Sequence, residues 1–174
     1  QIELIKYNKE EALSNAQYNV QVVNEQVSKL ESEFSAYQLK AANELHDKTE
    51  PIVQKKLQAN FEKQQLYKEI QDAKNIKDIC PTCGQKIPDV HVIDTTEMEA
   101  KYKHFDELIE NYNCQIQELK AEYCKAEEVF ESSQKESRNN LNTALKSHHQ
   151  EILNIQAELK QLANDITLYN TQLA

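Results

Sequence analysis

Hydrophobic residues recur along most of this chain at alternating steps of three and four positions, with polar and charged residues between them. Such spacing is the a/d heptad pattern of a coiled coil, in which one apolar stripe of each helix faces a partner helix. The first series is Leu13, Ala16, Val20, Val23, Val27, Leu30, Phe34, Tyr37 and Ala41. The second is Tyr102, Phe105, Ile109, Tyr112, Ile116, Leu119, Tyr123, Ala126 and Phe130, and it resumes with Leu141, Leu145, Ile152, Ile155, Leu159, Leu162, Ile166, Tyr169 and Leu173. No further apolar set remains to form a separate core, so the pattern predicts an all-α fold of two long helices.

Each series is interrupted once by two consecutive steps of four residues. The interruptions run through Tyr37, Ala41 and Leu45 and through Phe130, Gln134 and Arg138. Such an insertion is a stutter, which locally unwinds a supercoil, and the two strands of one coiled coil must share their local twist. The stutters meet if the chain folds back antiparallel, with position 41 opposite position 130. The sequence therefore predicts a long antiparallel coiled-coil hairpin.

Glycine and proline locate the turn of this hairpin. The chain has one glycine and three prolines in 174 residues, far fewer than a sheet protein needs. Gly84 and two of the prolines, Pro81 and Pro88, fall near the middle of the sequence. We therefore expect a first arm at residues 1–76, a loop at 77–94 and a second arm at 95–174.

The loop also carries apolar residues, which are Ile79, Ile87, Val90, Val92 and Ile93. They predict a short, compact loop with room for two very small strands. At its end, Asp94 is followed three residues later by Glu97. This spacing predicts a capping box, in which Asp94 is the N-cap of the second arm and Glu97 returns a hydrogen bond.

Pro51 lies inside the first arm. Within a helix, proline removes a backbone hydrogen bond and costs about 3 kcal/mol, whereas the first turn of a helix tolerates it. We therefore expect a break near residues 46–51. The alternative is a continuous helix that tolerates the defect.

The overall charge limits the classes of function. The formal net charge is −9, so no basic stripe is available to follow a phosphate backbone, and nucleic-acid binding by this segment is not expected. No apolar run approaches 18 residues, so no membrane span is expected.

We expect a cytoplasmic protein of a bacterium or a phage-infected host, or a nuclear one if the source is eukaryotic. The chain opens on Gln1, which suggests a segment of a longer protein.

The loop contains the sequence Cys80-Pro81-Thr82-Cys83-Gly84. Two cysteines separated by two residues form a tight turn that directs both sulfurs to one side and leaves backbone N–H groups free to donate to them. Pro81 fixes its own φ, and Gly84 can adopt a positive φ where the chain leaves the turn. The motif predicts zinc ligation by Cys80 and Cys83, but a structural zinc ion needs four ligands.

The two remaining ligands could come from several sources. Cys114 and Cys124 lie far along the second arm and off its apolar stripe, and His91 would complete only three ligands. A redox pair of the thioredoxin type needs a βαβ context, and a structural disulfide is disfavoured in a reducing compartment. The arrangement left is one zinc ion shared by two chains, each of which supplies Cys80 and Cys83.

A long antiparallel coiled coil with Cys-Pro-x-Cys-Gly at its apex resembles the zinc hook of the SMC-like DNA-repair ATPases. That family includes the SbcC-type subunit of the SbcC–SbcD nuclease and its archaeal, eukaryotic and phage counterparts. The resemblance covers the whole chain in architecture and rests in detail on residues 80–84. It implies that Cys80 and Cys83 bind zinc and that the hook joins two molecules apex to apex as a homodimer.

The resemblance also implies partners that act through other parts of the parent protein. These are a nuclease subunit and DNA, which would bind head domains beyond the present sequence. A single glycine cannot form a phosphate-binding loop, so we expect no enzymatic activity in this segment. Ile79, Thr82 and Ile87 are candidates for the contact between the two hooks, with packing inside their own loop as the alternative. Lys77 and Lys86 could offset the charge of four thiolates. A structural rod or scaffold with an incidental or redox CxxC is the competing interpretation of the chain.

Overall fold

The computed structural model describes residues 1–173 and consists of two long helices. Helix α1 spans Ile2–Asn75 and helix α2 spans Thr96–Leu173. Apart from one isolated β-bridge, residues 1–173 contain no strand. The predicted all-α class is therefore confirmed.

The helices pack against each other in two compact units. One unit comprises Gln1–Leu39 with Glu127–Ala174, and the other comprises Lys40–Ala126. In each unit the paired positions run in opposite directions, as expected of a helical hairpin. Cross-helix polar pairs include Lys9–Glu158 and Gln38–Glu127 in the first unit, and Lys63–Asp106, Lys74–Glu99 and Tyr123–Glu44 in the second.

The apolar stripe of α1 faces α2 as its spacing predicted. All nine stripe positions from Leu13 to Ala41 are buried or half-buried. The stripe of α2 follows the prediction from Tyr102 to Tyr123 and from Leu141 to Ile166, but Ala126, Tyr169 and Leu173 are exposed. At the first of these positions the neighbouring Glu127 is half-buried instead and accepts a hydrogen bond from Gln38.

The second unit has a core of buried apolar residues. Its core consists of Ala59, Leu66, Ile70 and Phe105, and none of them is more than 8% exposed. Met98, Tyr102, Leu108, Ile109 and Tyr112 pack around this core. Each of two paired helices buries only the stripe that faces its partner, so the buried residues form a row along the helices.

The pairing at the stutter differs from the predicted register. Phe130 stacks on Tyr37 with 4.2 Å between ring centroids, and on Phe34 at 6.1 Å. Tyr37 precedes the predicted partner, Ala41, by one helical turn. Gln134 lies one turn further along α2 and is only 8% exposed, and its Oε1 has no hydrogen-bond partner within residues 1–173.

Pro51 does not interrupt α1. The helix is continuous from Ile2 to Asn75, in place of the break predicted near residues 46–51. Pro51 itself is exposed, and the Thr49 hydroxyl donates to the carbonyl of Leu45 at 2.8 Å. Helical packing on both sides of the proline outweighs the loss of one backbone hydrogen bond.

No helix in the described part of the chain is long and apolar enough to cross a membrane.

Candidate metal centre

A loop at residues 76–95 connects α1 to α2. Helix α1 closes with a hydrogen bond from the Ile76 N–H to the Ala73 carbonyl at 3.3 Å. Before α2, the Asp94 carboxylate accepts from both the N–H (3.0 Å) and the hydroxyl (2.6 Å) of Thr96. These bonds lower the pKa of Asp94, with the Thr96 hydroxyl as the larger cause.

The start of α2 differs in one respect from the predicted capping box. The carbonyl of Thr95 accepts the first helical hydrogen bond, from the N–H of Glu99, so Thr95 occupies the N-cap position. Asp94 precedes the cap and binds Thr96 rather than the third residue of the helix. The carboxylate still satisfies one of the N–H groups that a helix leaves unpaired at its start.

A small knuckle forms inside the loop. An antiparallel bridge pairs Ile79 with Lys86, and the Cys80 N–H donates to the carbonyl of Gln85 at 2.8 Å. The Gly84 N–H donates back to the Cys80 carbonyl at 2.9 Å. Gly84 has a φ of 72°, the left-handed conformation that the sequence assigned to it. The expected pair of small strands is thus reduced to a single bridge.

The knuckle presents backbone donors to the sulfur of Cys80. The groups that favour the Cys80 thiolate are the backbone N–H groups of Cys83 and Thr82 and, after them, the Cys83 thiol. These interactions, with the Cys83 N–H as the largest, lower the pKa of the Cys80 thiol. Cys80 is half-buried, Cys83 is exposed, and neither forms a disulfide. Two thiols on one turn, with the pKa of Cys80 lowered, are a chemical pair that a soft cation can bind.

No other described residue joins this pair. Cys114 and Cys124 lie within α2, and the Cys114 sulfur is 4.0 Å from the carboxylate of Glu110 in the same helix. His91 lies exposed in the segment between the knuckle and α2. Within residues 1–173 there is no cluster of three or more His, Cys, Asp or Glu side chains that could hold a metal ion.

The residues assigned to a dimer contact are accessible. Ile79 is 54% exposed and Ile87 38% exposed, and Thr82 is exposed at the turn. Packing inside the loop, the alternative for these side chains, therefore leaves much of their surface free. Lys77 and Lys86 are also exposed beside the knuckle.

The sequence assigned the apolar residues after the knuckle to a compact loop and gave them no contact with another molecule. Val92 is 60% exposed and Ile93 47% exposed, and Asp89 adopts a φ of 62° just before them. The signal was present as a run of apolar residues in a loop, which is unusual because loops are mostly polar. Only the structure indicates that these side chains face solvent.

Comparison of the chain with known protein families, with curated proteins and with solved structures found no match. Its chemistry must therefore be inferred from the knuckle itself. Two thiols held by one turn can bind a soft cation such as zinc, and they leave two positions of a tetrahedral ion for another molecule.

Proposed function

We propose that this chain is a zinc-dependent dimerisation module, in which two molecules share one zinc ion through Cys80 and Cys83 of each. The observation that carries the proposal is the knuckle, a turn closed by backbone hydrogen bonds from Cys80 to Gln85 and from Gly84 to Cys80, which places two free thiols at accessible positions. The absence of a third ligand group within residues 1–173 favours a second chain as the source of the missing thiolates.

The packing of the loop supports the same function. A shared site needs accessible sulfurs and a surface that can approach its copy, and the exposed Ile79, Thr82 and Ile87 surround the turn. Four thiolates on Zn²⁺ carry a net charge of −2, which the nearby Lys77 and Lys86 would reduce. Zinc binding and dimerisation are then one equilibrium, and its midpoint depends on protein concentration.

We further propose that the module is the zinc hook of an SMC-like ATPase subunit in a DNA double-strand-break repair or recombination nuclease complex. The support is the hairpin of two long helices together with the Cys-Pro-x-Cys-Gly turn at residues 80–84. In this assignment the module performs no catalysis. Its task is to join two ATPase subunits in the cytoplasm or nucleus, while their head domains bind the nuclease and DNA.

The test is the solution mass and zinc content of the chain by sedimentation, with and without zinc. We expect one zinc per two chains and a monomer after treatment with a strong chelator, and restored zinc should restore the dimer. Acid should also dissociate the dimer, because protons compete with zinc for the thiolates. Co²⁺ in place of zinc should give the absorption of a tetrahedral four-thiolate site.

Cysteine variants make the test specific. Cys80→Ser or Cys83→Ser should abolish the zinc-bound dimer and leave the helix content nearly unchanged, since the arms pack along their own stripes. Cys114→Ser and Cys124→Ser are the matched controls and should change neither quantity. A rod or scaffold protein would instead dimerise equally well without zinc and in the double variant Cys80→Ser/Cys83→Ser, and that result would overturn the proposal.

A further inference from the structure

A short segment without regular secondary structure, residues 90–93, follows the knuckle, and no other backbone group within residues 1–173 pairs with its backbone. Within residues 1–173, none of the backbone N–H groups of this segment donates to another backbone group, nor do its carbonyls accept from one. Buried or interfacial backbone groups in native proteins almost always find partners. The backbone groups of the segment are therefore available to pair with an added strand.

Both ends of the segment are fixed. On one side, the Ile87 N–H donates to the carbonyl of Asp78 at 2.6 Å, and the left-handed Asp89 then turns the chain away from the knuckle. On the other side, Asp94 is held by its two hydrogen bonds to Thr96 at the start of α2. Anchors at both ends reduce the entropy that the segment would lose on pairing.

The side chains of the segment favour a protein partner. Val90 is half-buried, whereas Val92 is 60% exposed and Ile93 is 47% exposed. β-Branched residues are the ones that strands prefer, and an exposed apolar strand edge commonly pairs with another chain. The segment contains no glycine, and its nearest proline, Pro88, lies outside it.

We propose that Val90–Ile93 pairs with the same segment of a second copy as a two-stranded antiparallel ribbon beside the zinc. The inference rests on the proposed function, because the incomplete ligand set at Cys80 and Cys83 is what brings a second copy to this loop. A contact between identical copies related by a two-fold axis uses the same surface on both, and an antiparallel strand pair satisfies that symmetry.

The charges around the segment are compatible with this pairing. Facing residue pairs in an antiparallel ladder alternate between hydrogen-bonded and non-hydrogen-bonded types. A two-fold axis makes symmetry-related pairs identical, so the axis must pass where one residue faces its own copy. An axis at His91 would place Val90 opposite Val92, and an axis at Val92 would place His91 opposite Ile93. Asp89 and Asp94, the carboxylates that flank the segment, are directly opposed in neither register.

Amide hydrogen exchange on the full chain tests the pairing directly. In the zinc-bound dimer, we expect alternate amides of residues 90–93 to exchange about tenfold or more slowly compared with the metal-free monomer. A dimer with a four-thiolate site in which these amides exchange as fast as in the monomer would overturn the ribbon and leave the proposed function intact. If zinc produces no dimer at all, the proposed function fails and the ribbon fails with it.

Two neighbouring proline variants provide a second test. Proline has no N–H, and the N–H groups of adjacent residues in a strand point to opposite edges. Of His91→Pro and Val92→Pro, one should therefore weaken the zinc-dependent dimer about tenfold and the other much less. Helix content and zinc stoichiometry check that each variant is intact. Equal losses in both variants, or no loss in either, would contradict pairing through the backbone.

Discussion

Tyr37 and Phe130 stack across the two helices, with 4.2 Å between their ring centroids and an angle of 2° between their planes. The ring of Phe34, 6.1 Å from that of Phe130, extends the stack along α1. Aromatic pairs contribute about 0.5–1.5 kcal/mol beyond the area that they bury. One turn further along α2, the buried amide oxygen of Gln134 finds no hydrogen-bond partner within residues 1–173, which costs stability in the same part of the helix pair.

We therefore expect Phe130→Ala to lower the free energy of unfolding by about 2–4 kcal/mol, through lost burial and lost stacking. Thermal or urea unfolding followed by circular dichroism measures the change. The neighbouring Val129→Ala is the control, because Val129 is 67% exposed and should change stability by less than about 0.5 kcal/mol. Equal effects of the two substitutions would mean that the stripe of α2 is wrongly placed.

Lys63 forms an ion pair with Asp106 and lies 5.0 Å from the centroid of the Tyr102 ring. The hydrogen bond to Asp106 is the main reason why the pKa of Lys63 is raised. A double-mutant cycle with Lys63→Gln and Asp106→Asn should give a coupling of about 0.2–1 kcal/mol, because both side chains remain partly exposed. The coupling should shrink in 1 M salt.

The pH dependence of this pair follows from the direction of the shift. A raised pKa means that the stabilisation is complete below the pKa of an unfolded lysine, about 10.4, and is lost as pH rises through the higher folded value. The same cycle on Lys40 and Glu44, an exposed pair at 3.9 Å within α1, is the control and should give the smaller coupling. A coupling free energy for Lys63–Asp106 that changes neither with salt nor at alkaline pH would contradict this account.

The pKa of Asp94 predicts behaviour at acidic pH. Its hydrogen bonds from Thr96 lower this pKa, so their stabilisation of α2 is present above the usual carboxyl value of about 3.9 and is lost as pH falls through the lower folded value. In an NMR titration, the Thr96 amide proton should report a midpoint below about 3.9. Asp94→Asn keeps an acceptor but cannot titrate, so its Thr96 amide should stay flat in this range. A midpoint at or above 3.9 in the parent chain would show that the bonds are absent.

Gly84 and Asp89 both have left-handed backbone conformations, with φ values of 72° and 62°. Nothing lies within 4 Å of where a Cβ would stand on Gly84, so a substitution there meets strain from the backbone angle alone. Gly84→Ala should cost about 1–2 kcal/mol and weaken zinc binding about tenfold, measured by chelator competition. Gly84→Asn should lose less zinc affinity. Asp89→Gly should stabilise the conformation of the loop, because glycine adopts a positive φ without steric strain. Unchanged zinc binding by Gly84→Ala would mean that the knuckle does not need this conformation.

Much of the fold follows from the sequence because it depends on spacing. The stripe from Leu13 to Ala41 predicted the inward face of α1, since a helix with one apolar stripe can bury no other side. Register was harder to predict. It depends on how large side chains fit together across the helices, and the stacking of Phe130 on Tyr37 moved the pairing one turn away from Ala41.

The features that sequence reasoning missed involve competition between local and tertiary terms. The propensity of Pro51 favoured a break, but a long helix packed on both sides of the proline tolerates one missing bond. At the candidate site, the motif identified Cys80 and Cys83 and the positive φ of Gly84. The motif also predicted backbone N–H donors to the sulfurs, whereas the exposure of Val92 depends on the three-dimensional path of the loop, which no spacing encodes.

Pro51 also gives α1 a mechanical property. A helix under axial tension is held by its ladder of backbone hydrogen bonds, and the carbonyl of Asp47 lacks its partner in that ladder because Pro51 has no N–H. A pulling force along the arm would thus meet the least resistance at this turn. In single-molecule stretching, the first yield of α1 should begin there, and Pro51→Ala should raise the force at which it occurs.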